Sequence, residues 1–427
     1  MDPLAEDKLL LKFLGRSLLE HQMERARGAG LDQFVMVANP QNLEKIQRIV
    51  SRYPEVAVDF AVQEMPQGIA HAVQQAEHLL QDRVLLVNSN DVFDSAAYAS
   101  LLSECNRNSA VAYVLGYKVQ DYFPGGYLVA GKEGSLEQII EKPPKGHEPS
   151  NLVNIMVHLH TDIAKLLDYI SRVETSADDV YECALDRMVG DGHHIRVIPY
   201  SGFWSAIKYP WHIFKIVRYF LDTAEAGISS SARISPAATV EGKVIIEDNV
   251  RIMENAVIKG PVYIGSNTII GTNALVREYS HVGADCVVGY CTEVKGSYIG
   301  DRCWFHSSYV GDSILGDGCS FGAGTVLANF RFDEQNIMVR VGDDLVDTGL
   351  DKLGAMVGEN AKTGINTSVL PGIRIGANCF IGPHVCLTRD VEANKMVLPE
   401  SSYRVLGKSV GLDSNKKDEL MKRLEGL

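Results

Sequence analysis

The chain has 427 residues, 46% hydrophobic and 22% charged, with a net charge of −13. That composition describes a soluble globular protein too long for one ordinary core, and the acidic balance argues against a nucleic-acid partner. No apolar run approaches the ~20 residues of a membrane span, and Met1-Asp2-Pro3-Leu4-Ala5-Glu6-Asp7 carries acid where a signal peptide carries base, so a cytoplasmic location is expected.

Residues 1 to about 225 alternate helix-like and strand-like segments. The patterns predict a helix over 16–29, a strand over 34–38, a helix over 42–52 and a strand over 56–60. A helix over 70–80 and a strand over 83–88 follow. This rhythm predicts an α/β, Rossmann-like, mostly parallel sheet, whose ligands gather at the carboxyl ends of its strands. Gln63-x-x-Pro66-x-Gly68 lies between a strand and a helix. There Gly68 lets backbone N–H groups approach a base or phosphate and Gln63 can pair with a base edge; a plain strand-to-helix turn reads equally well. Asp91 follows a strand, where an exposed carboxylate could hold Mg²⁺ bridged to phosphates, although a lone Asp there is more often a helix N-cap. Gly125-Gly126-Tyr127, Ile140-Glu141-Lys142-Pro143 and Asn151-Leu152-Val153-Asn154 come next.

Residues 226–233 read as a small-residue linker, after which every sixth residue from Ile234 to Val294 is Ile or Val. Neither helix nor simple strand periodicity produces that spacing. It is the mark of a left-handed parallel β-helix of hexapeptide repeats, expected over 234–400. The phase slips after Val294, residues 329–353 leave the repeat, and it returns at Val369, Ile375, Ile381 and Leu387. A tail over 401–427 is expected to carry a short charged helix from Asn415. The eight cysteines have no Cys-x-x-Cys spacing and read as reduced small hydrophobes, several of them within the repeat.

Taken in order, the motifs of residues 1–225 resemble the sugar-1-phosphate nucleotidylyltransferase family. The resemblance implies that Gln63 and Gly68 hold the nucleotide base, that Gly126, Glu141, Lys142 and Asn154 contact the sugar phosphate, and that Asp91 binds magnesium. Lys8 matches the lysine of the family's opening motif. The G-x-G-T-R part of that motif, which cradles the triphosphate, is absent together with the first, central strand. The expectation is therefore unpaired neighbours in the sheet, and a start codon assigned too late. The family's second metal-binding Asp is replaced by Ala206, with Lys208 nearby expected to be a surface lysine. Losing both cradle and ligand is expected to cost orders of magnitude in rate.

In the second half, His306-Ser307-Ser308-Tyr309-Val310-Gly311-Asp312 and Gly322-Ala323-Gly324-Thr325 to Asn329 resemble the acetyltransferase half of bifunctional amino-sugar-1-phosphate acetyltransferase/uridylyltransferases. The archaeal-type branch is most similar, through 329–333 and the stretch from Asp347 to Lys352. The resemblance implies acetyl-CoA as co-substrate, His306 as general base, Tyr309 and Asn329 on the sugar, Arg277 and Lys295 for its phosphate, and Lys352 as a further substrate-binding residue. It also implies a homotrimer, with UDP-N-acetylglucosamine as a product of the type. Family lysines after Asp333 are replaced here by Glu334, Gln335, Asn336, Ile337 and Met338. The leading expectation is an enzyme that joins a sugar 1-phosphate to a nucleoside triphosphate and acetylates an amino-sugar 1-phosphate. The alternatives are an acetyltransferase with a degenerate first domain, or a non-catalytic subunit that binds nucleotide sugar.

Overall fold

A computed structural model describes residues 1–175, 179–400, 404–408 and 415–425. The first helix, α1 (Leu18–Gly28), starts where Ser17 and Glu20 cap each other. Ser17 Oγ accepts the Glu20 N–H at 3.3 Å and the Glu20 carboxylate accepts the Ser17 N–H at 2.8 Å. The predicted elements then follow within a few residues: β1 (Gln33–Ala38), α2 (Leu43–Val50), β2 (Ala57–Val62), α3 (Gly68–Ala76) and β3 (Val84–Val87). Next come β4 (Asp91–Phe93), α4 (Ala96–Arg107), β5 (Ala112–Lys118), β6 (Tyr127–Ala130), β7 (Leu136–Ile140) and β8 (Leu152–His160). Then α5 (Ile163–Ser171), α6 (Val180–Gly190), β9 (Ile195–Tyr200), β10 (Trp204–Ala206) and α7 (His212–Thr223) close the domain.

The main sheet is mixed rather than mostly parallel. Only β9 runs parallel to its neighbour β5, while β8 pairs antiparallel with β3, β5 and β6, and β6 with β7. β1 and β2 form a separate two-stranded parallel sheet. β1 and β3 each keep one edge without a described strand, and all four apolar residues of β3 stay only half-buried.

Residues 227–397 wind into a left-handed parallel β-helix with sheets of eight, nine and eight strands. Within the segment expected as a linker, Gly227–Ile228 already pairs with Ile245 and Ile246. From Ile246 to Val294 the residue at each sixth place is at most 2% exposed, so a β-branched side chain fills the narrow core of each short strand. Stacked residues are 18 apart in the regular coils, as in Tyr263 beside His281. They are 17 apart from His281 to Tyr298 and 16 from Glu293 to Tyr309. The slip after Val294 is therefore a real shortening of the coil. A separation of 42, as between Ile314 and Met356, marks where residues 329–353 are extruded. One inner corner carries a column of thiols: Cys286, Cys303 and Cys319 each donate to a carbonyl one coil on, at 3.3 Å, and Cys379 to Glu392 O at 3.0 Å. The C-terminal helix, α8 (Asn415–Leu424), is exposed throughout; 401–403, 409–414 and 426–427 of the expected tail lie outside the described residues.

The two halves share one apolar seam. Phe13, Trp211, Ile213 and Phe220 of the first domain pack with Tyr263, Tyr298 and Met356 on one solenoid face, together with Ile337 and Val339 of the extruded loop. On that face Tyr263, His281 and Tyr298 stack at centroid distances of 4.8 and 4.9 Å. The His281 ring is fully buried. Its Nδ1 lies 3.3 Å from the Ile299 carbonyl, which can only accept, so Nδ1 carries the proton and Nε2 accepts the Leu14 N–H at 3.1 Å. Nearby, Lys12 pairs with Asp301 at 2.6 Å.

Burial pushes the His281 imidazole down to about 4. A base whose folded pKa is depressed holds its full contribution above its unfolded pKa and loses it as pH falls toward the folded one. Between pH 6.5 and 4 this residue is therefore expected to cost up to about 3 kcal/mol of stability. His281→Phe keeps the stack and removes the proton, so its melting temperature should fall less than wild type's between pH 7 and 4.5. Parallel melting-temperature curves would contradict that.

Candidate functional sites

In the first domain the strand ends converge on Asp91. The β4–β10 pairing places Asp91 opposite Ala206, the position where a second carboxylate was missed from the sequence. The Asp91 side chain is buried and its Oδ2 accepts the Trp204 indole N–H at 3.1 Å. Burial raises its pKa to about 6, against the opposing pull of Trp204, Lys208 and Lys8. Gln22 locks the strand from behind, its amide donating to Ser89 O at 2.9 Å and Asp91 O at 2.8 Å.

A buried carboxylate with one neutral hydrogen-bond donor is a group that a divalent cation would satisfy. Among the described residues no set of three or more His, Cys, Asp or Glu could hold a metal. The fit is therefore to a cation with Asp91 as its protein ligand and substrate oxygens or water elsewhere. Lys208 is not a surface lysine. It is half-buried, donates to Pro124 O, and its Nζ sits 4.0 Å from the Phe123 ring centroid. Burial pushes its pKa down to about 8, with Glu141 the strongest charge opposing that fall. Lys8 is lowered by burial as well, and Asp7 and Asp91 pull it back.

Gly126, Glu141 and Asn154 come together beside Lys208. A Cβ on Gly126 would stand 2.9 Å from Glu141 Oε2 and 3.5 Å from Asn154 Cβ, so a side chain there would push the Glu141 carboxylate aside. Lys142, on a left-handed turn with φ 44°, lies 3.1 Å from Glu141 Oε1. Gln63 and Gly68 form a separate turn. Gln63 Nε2 lies 3.2 Å from Gly68 O and 2.8 Å from His71 Nδ1, and Gly68 has φ +80°. No hydrogen bond or ion pair among the described residues joins that turn to the Asp91 group.

On the solenoid, the shortened coils gather a second group on one sheet. Asp312 is its hub: Lys295 Nζ binds its carboxylate at 2.7 Å and the Asn329 amide donates to the same oxygen. Tyr309 stands next to Glu293, which holds Arg277 at 3.1 Å. Both cations assigned to phosphate thus already face carboxylates. His306 occupies the adjoining corner, exposed, with its backbone fixed by Phe321 O at 3.1 Å. Lys352 closes the extruded loop through a bridge to Phe330 and reaches 5.9 Å over that ring. The motif reading assigned no role to Asp312, although it ends the H-x-S-Y-x-G-D motif. Trp204 begins the Trp204-Ser205-Ala206 segment in which Ala206 replaces the family's Asp, yet it was given no role, and Gln22 had no sequence signal.

Residues 4–207 match the nucleotidyl transferase family, and 243–278 and 354–389 match the bacterial transferase hexapeptide family of six repeats. The bifunctional protein GlmU of Methanococcus maripaludis is 36% identical over 399 residues, covering 92% of this chain and 93% of that protein. The bifunctional sugar-1-phosphate nucleotidylyltransferase/acetyltransferase of Sulfurisphaera tokodaii is 32% identical over 386 residues, covering 90% and 92%. GlmU of Methanocaldococcus jannaschii is 32% identical over 400 residues, covering 92% and 93%.

Removing the hub should loosen the solenoid group. Asp312→Ala strands the Lys295 ammonium and the Asn329 amide, so the second domain is expected to lose about 1–3 kcal/mol in denaturant melts. An unchanged midpoint would mean that the three side chains do not hold one another.

Proposed function

Because the chain belongs to the family of bifunctional sugar-1-phosphate nucleotidylyltransferase/acetyltransferases, we propose that it is a two-activity transferase of nucleotide-sugar synthesis. The observation that carries this reading is that both halves align in one order over at least nine-tenths of the chain, with one polar cluster in each half.

In the first domain a sugar 1-phosphate attacks the α-phosphorus of a nucleoside triphosphate and pyrophosphate leaves. Gly126, Glu141, Lys142 and Asn154 hold the sugar phosphate, while Gln63 and Gly68 receive the base. Lys8 and Lys208 supply positive charge beside Asp91, where the second carboxylate is absent. Mg²⁺ held by Asp91 would neutralise charge on the phosphates. In the second domain an amino-sugar 1-phosphate is acetylated by acetyl-CoA. His306 takes the ammonium proton, the freed amine attacks the thioester carbonyl, and the thiol of coenzyme A leaves. Tyr309 and Asn329 orient the sugar. Lys295, Arg277 and Lys352 attract its phosphate, which must compete with Asp312 and Glu293 for the first two.

The exposed Trp304, Val326, Ile365 and Phe380 lie on solenoid coils away from the seam and support assembly as a homotrimer that buries them. The acidic chain works in the cytoplasm in this reading. Among the described residues, no helix is long and apolar enough to cross a membrane.

Two assays on one preparation test the pair of activities. Asp91→Asn is expected to lower pyrophosphate release at least a hundredfold and leave thiol release from acetyl-CoA unchanged. His306→Ala is expected to lower thiol release by about 10²–10⁴ and leave pyrophosphate release unchanged. A wild-type protein that releases no pyrophosphate from any nucleoside triphosphate would overturn the first half of the reading. An unaffected His306→Ala enzyme would overturn the assigned base.

A further inference from the structure

Behind the sugar-phosphate corner lies a fully buried row of polar rings that the reaction as described does not use. His158 and His160 of β8 are 0% exposed, and Tyr181 of α6 is 2% exposed. The Tyr181 hydroxyl lies 2.8 Å from His158 Nδ1 and 2.8 Å from His160 Nε2, and His158 Nε2 lies 2.7 Å from Asn154 Oδ1. Polar groups placed this deep cost free energy unless each serves a partner.

The contact between Asn154 and His158 exists because β8 is irregular. On a regular strand residues four apart are separated by about 13 Å. Here Ile155 pairs with Leu115 and His158 with the next residue, Val114, so two residues are bulged out between them. The bulge shortens the spacing to roughly that of residues two apart, about 7 Å, and leaves both side chains on one face.

Hydrogen-bond direction follows from the ends of the row. The Asn154 oxygen can only accept, so His158 Nε2 carries the proton and Nδ1 is a bare acceptor. The Tyr181 O–H therefore donates to His158, and its oxygen accepts from His160 Nε2–H. That leaves His160 Nδ1 as a lone pair without a partner, and it is indeed a buried atom with no hydrogen bond. Turning the Asn154 amide over would reverse every donor and strand an N–H at His160 instead, the costlier orphan. Burial keeps the row neutral: His160 is pushed down to about 4 and His158 well below its ordinary value. With Oδ1 committed, the Asn154 Nδ2 faces the corner, 3.9 Å from where a Gly126 Cβ would stand.

We propose that His158, Tyr181 and His160 form a buried relay that holds the Asn154 amide with its NH₂ group toward the sugar phosphate. All three are positioning residues for nucleotidyl transfer; this rests on the reading of Asn154 as a sugar-phosphate ligand. Without the relay the amide can turn its oxygen toward the anion, losing the hydrogen bond from its NH₂ group and repelling the group it should hold. The relay thus selects an acceptor-rich, anionic substrate at this corner through residues that never touch it.

The test compares KM for sugar 1-phosphate with KM for nucleoside triphosphate in the full-length protein. Asn154→Ala sets the reference: it should raise KM for the sugar phosphate about tenfold, the effect of one hydrogen bond to a charged group, and leave the triphosphate within twofold. Tyr181→Phe should do the same by breaking the middle of the row. His158→Phe frees the amide directly while stranding fewer buried groups, and serves should Tyr181→Phe not fold. A sugar-phosphate KM that stays at wild type in a folded Tyr181→Phe or His158→Phe enzyme overturns the relay, provided that Asn154→Ala shows its rise. Equal rises in both KM values overturn it too, because they report general loosening. No rise in Asn154→Ala overturns the assignment of Asn154 itself, and the relay with it.

Discussion

The stack of Tyr263, His281 and Tyr298 is the constraint on which the arrangement of the molecule rests. It exists because coils of the solenoid repeat at 18 or 17 residues, placing side chains from successive strands directly above one another. Three flat rings at 4.8–4.9 Å make a continuous wall, against which Phe13 packs at a tilt of 47°, 5.8 Å from Tyr298. The central ring must be neutral and in one tautomer to accept the Leu14 N–H. That hydrogen bond and the stack join the apolar seam, the Lys12–Asp301 pair and the Arg374–Asp2 pair in holding the first domain against the solenoid. The extruded loop joins the same seam through Ile337 and Val339, so the segment bearing Lys352 is anchored to the first domain's packing as well as to its own coil.

Regular packing and polar clustering are separated along the solenoid. Full-length coils bury one aliphatic side chain on each short strand. Shortened coils cannot keep that repeat, and there Lys295, Tyr309, Asp312 and Asn329 meet. A coil lacking one or two residues shifts the register of everything after it, which brings an acidic turn residue from one coil against an amine from the preceding one and an amide from the next. The first domain uses a comparable device in β8, where two bulged residues bring Asn154 and His158 within one hydrogen bond.

Much of this was legible in the sequence because it is periodic or local. The six-residue repeat is a direct record of which side chains point inward, and the helices of the first domain announced themselves through apolar spacing. The β4–β10 pairing put Ala206 opposite Asp91, as the motif order implied. What stayed hidden depends on contacts between distant segments. The strand carrying Asn154 and His158 runs antiparallel to three neighbours, which alternation within it cannot reveal. Lys208 looked like a surface lysine because nothing local shows that Phe123 and Pro124 enclose it. Tyr181 reads as an ordinary helix aromatic until the fold brings it between two histidines 21 and 23 residues away.

The thiol column at the solenoid's inner corner divides the solenoid's cysteines in two. A hydrogen bond with Cys303, together with burial, holds Cys286 well above the ordinary thiol range, burial holds Cys303 there, and Cys319 and Cys379 are buried with them. Oxidants and alkylating reagents attack the thiolate, which such a corner suppresses and shields. Cys291 and Cys386 are exposed on the same solenoid. Among the solenoid's cysteines, oxidation will therefore begin at those two surface positions, and sulfenic acid within the column will mean that the coils have already come apart.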